Sequence, residues 1–89
     1  MAYLGQDVEQ VKQMATQLNS KAGDIESVIT QLTSAVNGVR WDGNDAKQFK
    51  SDWQSQHVPQ LRKVVDALRS ASQAANRNAA EQQQTSSKY

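Results

Sequence analysis

Apolar residues fall at Val8, Val11, Ala15, Leu18, Ala22, Ile25, Ile29, Leu32, Val36 and Val39, in steps that alternate three and four. That pattern is a heptad seam. It predicts a long helix that coils left-handed against another helix. Met14, Val28 and Ala35 widen the stripe on one flank, enough to touch more than one neighbour. Gly23 sits inside the pattern, where it costs about 0.5–1 kcal/mol relative to Ala; a close helix crossing would account for it, and so would chance. Asp7 followed by Gln10 fits a variant of the capping box at the helix start.

A second stretch reads Ala46, Phe49, Trp53, His57, Leu61, Val64, Leu68, Ala71 and Ala75. From Phe49 to Leu61 each step is four, a stutter that unwinds the supercoil locally. Pro59 lies inside the stutter, lacks an amide donor and clashes with the carbonyl four residues back, so a kink near 55–59 is expected. Val58 and Val65 lie beside this seam and are expected to face a partner chain. Between the two stretches, Asn37-Gly38 offers a left-handed helix end. Asp42, Asn44 and Asp45 then place caps and negative charge at the next helix start. The break itself is Trp41-Asp42-Gly43.

The expected architecture is all-α: an antiparallel two-helix hairpin over 1–78, with helix 1 about 7–39, a turn about 40–44 and helix 2 about 45–78. Residues 79–89 are polar and lack a seam, so a flexible tail is expected. The stripes are wider than one seam consumes. A lone hairpin would leave Ile, Leu, Val and Trp surface in water, and a second copy or a similar chain would complete a dimeric four-helix bundle. The expected core and dimer residues are Val11, Leu18, Ile25, Ile29, Leu32, Phe49, Trp53, Leu61 and Leu68.

Composition narrows the function classes. Eighty-nine residues form one domain, and ten basic against nine acidic residues give no electrostatic footprint for nucleic acid. The absence of cysteine excludes disulfides and zinc–thiolate sites. No apolar run approaches the ~20 residues needed to span a bilayer. Residues 1–10 carry Asp7 and Glu9 and do not read as a cleavable signal peptide.

Trp41-Asp42-Gly43 at the tip of a two-helix chain resembles the WXG-100 family of small secreted proteins. Ala46, Phe49, Trp53, Pro59, Leu61 and Leu68 stand at spacings similar to the family's, as does Asn78-Ala79-Ala80-Glu81-Gln82. The resemblance covers roughly residues 5 to 87. It implies a hairpin that homodimerises, or pairs with a related WXG-100 protein, and leaves a Gram-positive or actinobacterial cell through a type VII (ESX or Ess-like) system. The system's ATPase would then be a partner. Many actinobacterial members carry Tyr-x-x-x-Asp/Glu after the second helix. Here Glu81 supplies the acid, and Arg77 stands where the tyrosine would. The complete signal is then expected on a partner chain or in other C-terminal features.

Catalysis has little to build on. His57 is the only histidine, it lies on the seam, and a half-buried interface role is expected for it. A pair of thin helices offers no cleft for acid–base work, so no enzyme activity, metal or cofactor is expected. Trp41 is expected to plug the end of the seam against Ala46 or Phe49. Gly43 is expected to permit the reversal, and Trp53 to anchor the core or the dimer. Together with the partner's helix ends, Trp41 and Gly43 would also form a surface seen by the export ATPase or a chaperone. A cytoplasmic helical adaptor is the main alternative. A membrane-perturbing effector ranks last, because neither stripe has the basic and aromatic flanks of an interfacial helix.

Overall fold

The computed structural model describes the backbone of residues 3–87 and the side chains of residues 8–84. Helix α1 runs Tyr3–Gly38 and α2 runs Asn44–Asp52; a π-helical turn spans Trp53–His57, and α3 runs Val58–Ser87. Every regular element among the described residues is helical. The chain forms a rod of 68 × 16 × 14 Å, one hairpin thick, in which α1 and α3 lie side by side. They run antiparallel. Ala15 meets Ser72, Glu26 meets Arg69 and Thr33 meets Trp53, so sequence numbers rise on one helix as they fall on the other.

The inward face of α1 is the expected heptad. Val8, Ala15, Ala22 and Ile29 are all buried, each seven residues after the last. Ala22, Ile29 and Val65 form the central cluster, with Ile25, Val58, Leu61 and Leu68 packed around it. Gly23 lies on the exposed side, and a Cβ there would meet nothing within 4 Å. No close crossing explains it.

The second half of the hairpin differs from the sequence reading at three seam positions, where Val58, Val65 and Ser72 face inward in place of His57, Val64 and Ala71 while Leu61, Leu68 and Ala75 hold, and Pro59 supplies the reason. Proline cannot donate a hydrogen bond and crowds the carbonyl four residues back. The helix accommodates it by widening the preceding turn: the Val58 amide donates to the Trp53 carbonyl, five residues back. Pro59 then sits in the first turn of α3. A regular helix continuing from Trp53 would bring His57, Gln60 and Val64 inward. The extra residue brings Val58, Leu61 and Val65 instead. Val65 is 4% exposed and Val64 is 46% exposed. Val58 is half-buried against the core. The expectation that Val58 and Val65 face a partner is therefore corrected: they close the hairpin, and Val64 faces out.

The ends also differ. Asp7 lies a turn inside α1, not at its start. No left-handed residue marks Asn37 or Gly38; the Val39 amide still donates to the Ala35 carbonyl at 3.1 Å. The N-cap of α2 is Gly43, without a side-chain cap, so of the expected capping residues only Asp45 contributes, as charge in the first turn. The expected tail at 79–89 is helical through Ser87. Ala79 is buried, which extends the seam one heptad past Ser72, and Ala, Glu and Gln are strong helix formers. Met1, Ala2, Lys88 and Tyr89 lie outside the described residues.

Candidate binding surface

The two flanks of the α1–α3 seam are chemically unequal. On one flank, Arg69 on α3 reaches across to α1. Its Nε donates to Glu26 Oε1 at 3.1 Å, its Nη2 donates to the same oxygen, and its Nη1 donates to Asn19 Oδ1 at 2.9 Å. This pairing closes the flank with polar groups. Two further bonds pin the register. Trp53 Nε1–H donates to Thr33 Oγ1 at 2.9 Å, and the buried Ser72 hydroxyl donates to the Ala15 carbonyl at 2.7 Å.

The other flank is apolar and open. Met14, Val28, Leu32, Val39 and Val64 are between 45 and 52% exposed. Half-buried Leu18, Ile25, Leu61 and Leu68 connect them to the core. Met14, Val28 and Ala35 fall on one heptad position, and Leu18, Ile25, Leu32 and Val39 on another. This flank therefore carries a second apolar stripe at heptad spacing, interrupted by Lys21. Two shallow grooves lie along it, one lined by Met14, Leu18, Lys21 and Leu68, the other by Trp53, His57, Leu61 and Val64. Lys21 pairs with Asp24 on its own helix at 3.6 Å, with both side chains largely in solvent.

His57 was expected half-buried on the hairpin seam. It is exposed, because the π-helical turn rotates it onto the open flank, where its ring lies 6.3 Å from that of Trp53. The other expected core and interface residues divide three ways. Ile29 and Trp53 are buried; Val11, Leu18, Ile25, Leu61 and Leu68 are half-buried; Leu32 and Phe49 are exposed.

The tip extends the open flank. Trp41 and Phe49 pack with ring centroids 5.8 Å apart and planes tilted by 51°. Both remain more than 40% exposed, so Trp41 rests on Phe49 without sealing the end, while Ala46 is fully buried beneath the turn. Gly43 has φ 110° and ψ 173°, a backbone conformation that L side chains rarely adopt. The demand for glycine is conformational, since a Cβ there would meet nothing within 4 Å. Arg77 and Glu81 are exposed and one turn apart on α3, not in a tail.

Sequence reasoning missed Ser72, Thr33 and the Arg69–Glu26–Asn19 contact. Ser72 was recoverable, because it lies on the heptad of Val65 and Ala79 once the one-residue shift is known. The contacts of Arg69 span 43 and 50 residues and leave no local trace. Among the described residues no group of three His, Cys, Asp or Glu side chains could hold a metal ion, and no helix is long and apolar enough to cross a membrane. The arrangement is suited to docking another helical surface. Comparison with family models, with curated proteins and with solved structures finds no match.

Proposed function

We propose that this chain is a binding module of the WXG-100 kind, exported as a substrate or co-substrate of a type VII secretion system, and that it works as a dimeric four-helix bundle. The observation that carries the assembly is the open apolar flank with its own heptad spacing. Surface area supports it. The chain exposes 6694 Å². A compact monomer of 9.9 kDa exposes about 5,200 Å². The excess, roughly 1,500 Å², exceeds the ~800 Å² that each partner buries in a stable interface of ordinary size. The partner is a second copy or a related chain with the same flank. The export reading rests on Trp41-Asp42-Gly43 at the tip of a hairpin of this length, with the secretion ATPase as the partner that would see the tip and the α3 end.

Sedimentation of the purified chain tests the assembly. A dimer is expected, and Leu32→Asp should yield a helical monomer, because Leu32 is exposed in the single hairpin. A monomeric wild-type chain at high concentration would contradict homodimerisation. Export is tested separately, by assaying the culture supernatant of a type VII-competent host for the intact chain and for a chain truncated after Glu81. That truncation spares the buried Ala79. Export of the intact chain and loss of it on truncation are expected. Retention of the intact chain inside such cells favours the cytoplasmic adaptor.

A further inference from the structure

The chain holds two side chains of the aspartyl type followed by glycine, Asn37-Gly38 and Asp42-Gly43, and the fold treats them differently. Such pairs can cyclise, because glycine places no side chain in the way of its own amide nitrogen. By chemistry alone Asn37 is the faster of the two. Its neutral carboxamide is a better electrophile than a carboxylate, which must first be protonated.

We propose that the structure reverses this order and makes Asp42-Gly43 a spontaneous modification site, at which Asp42 converts to isoaspartate. The Gly43 amide nitrogen gives up its proton and attacks Cγ of the protonated Asp42 carboxyl group. A C–N bond forms, the C–OH bond breaks, and water leaves, giving a five-membered succinimide. Water then adds back at either imide carbonyl. Cleavage between the nitrogen and the former main-chain carbonyl leaves the chain running through Cβ and Cγ, with a free α-carboxylate. The net change is an isomerisation; no oxidant and no cofactor enters.

Two observations favour Asp42. It lies with Gly43 in the connection between α1 and α2, and both residues are exposed. Among the described residues the Gly43 amide donates no hydrogen bond, and the Asp42 carboxylate has no partner to hold it away. Asn37 and Gly38 are exposed as well, and only their backbone sets them apart. Both Asn37 and Gly38 belong to α1, and the hydrogen-bond ladder runs past them to the Val39 amide. Cyclisation there requires the helix end to open first. The product at Asp42 adds a backbone methylene beside the Trp41–Phe49 contact, at the one connection of the hairpin.

The cleanest test sets two identical chemistries in one molecule. In Asp42→Asn, residues 37 and 42 are both Asn followed by Gly, and deamidation adds one mass unit at whichever reacts. The folded variant is incubated at neutral pH and physiological temperature, and proteolytic peptides are followed by mass spectrometry. Residue 42 should react at least about tenfold faster than Asn37, the factor imposed by ~1.4 kcal/mol of helix-end opening. In guanidinium the two rates should converge. In the wild-type chain, isoaspartyl methyltransferase should label residue 42 without any mass change there, before Asn37 deamidates. Equal rates at the two sites in the folded variant, or faster reaction at Asn37, would overturn the proposal. So would an aged folded wild-type chain that carries no label at residue 42.

Discussion

Exchanging Val64 and Val65 for alanine separately tests the one-residue shift produced by the π-helical turn. The side chains are identical and adjacent, so only their orientation differs. Val65 is 4% exposed and sits in the central cluster with Ala22 and Ile29. Val65→Ala removes two methyl groups from full burial, about 1.6 kcal/mol at ~0.8 kcal/mol per group. The unfilled volume raises this to about 2 kcal/mol, because Ala22 in the same cluster cannot expand into it. Val64 is roughly half in solvent, so Val64→Ala loses at most about 0.8 kcal/mol and leaves no cavity. Urea unfolding followed by circular dichroism separates the two. At a denaturant slope near 1 kcal/mol per molar, expected for a chain this small, Val65→Ala lowers the midpoint by about 2 M and Val64→Ala by less than about 1 M. Tenfold dilution adds a second axis. The Val64 deficit should vary with protein concentration if that residue meets a partner, and the Val65 deficit should hold constant. A Val64→Ala deficit that equals or exceeds that of Val65→Ala at the lowest concentration refutes the shifted register.

Gly43→Ala places a side chain on a backbone at φ 110°, and thermal unfolding should show a loss of about 1–3 kcal/mol although the site is open to solvent. Trp53→Phe keeps most of the buried ring but removes the donor to Thr33, and a loss of about 1 kcal/mol beyond the area change is expected in the same assay. Adding Thr33→Val to that variant should cost little more, because the two groups share one interaction. Arg69→Met should cost no more than about 1 kcal/mol, and the difference from wild type should shrink as salt is raised, because the pair with Glu26 is partly exposed.

The helical class, the hairpin and the heptad face of α1 were legible because periodicity is local. Val8, Ala15, Ala22 and Ile29 declare their face without reference to anything beyond their own helix. The second helix was misread in part: Leu61, Leu68 and Ala75 face inward as expected, while His57, Val64 and Ala71 do not. Pro59 announced a disturbance, but an angular kink and a widened turn are both ways to relieve the same clash. Only the widened turn moves every later residue by about 100°. His57, Val58, Val64 and Val65 all changed sides for that single reason. Gly43 was readable because the reversal needs a conformation that few other residues adopt. The Asn37-Gly38 helix end was not, because a left-handed cap competes with one more turn of ordinary helix, and the ladder to Val39 won. The polar flank escaped notice altogether: Asn19, Glu26 and Arg69 look like ordinary solvated residues until the helices are set side by side.

Among the described residues no large side chain is completely buried, and Ala15, Ala22, Ala46 and Ala79 dominate the inward face. That composition has a calorimetric consequence. The heat-capacity increment of unfolding follows newly exposed apolar area, and globular domains reach about 12–15 cal/mol/K per residue. A separated hairpin with so thin a core falls well below that range. Its enthalpy of unfolding is correspondingly small, its free-energy curve is flat with temperature, and its melting is gradual. Burying the open flank against a partner would supply the missing area, so association would register first as a sharper endotherm.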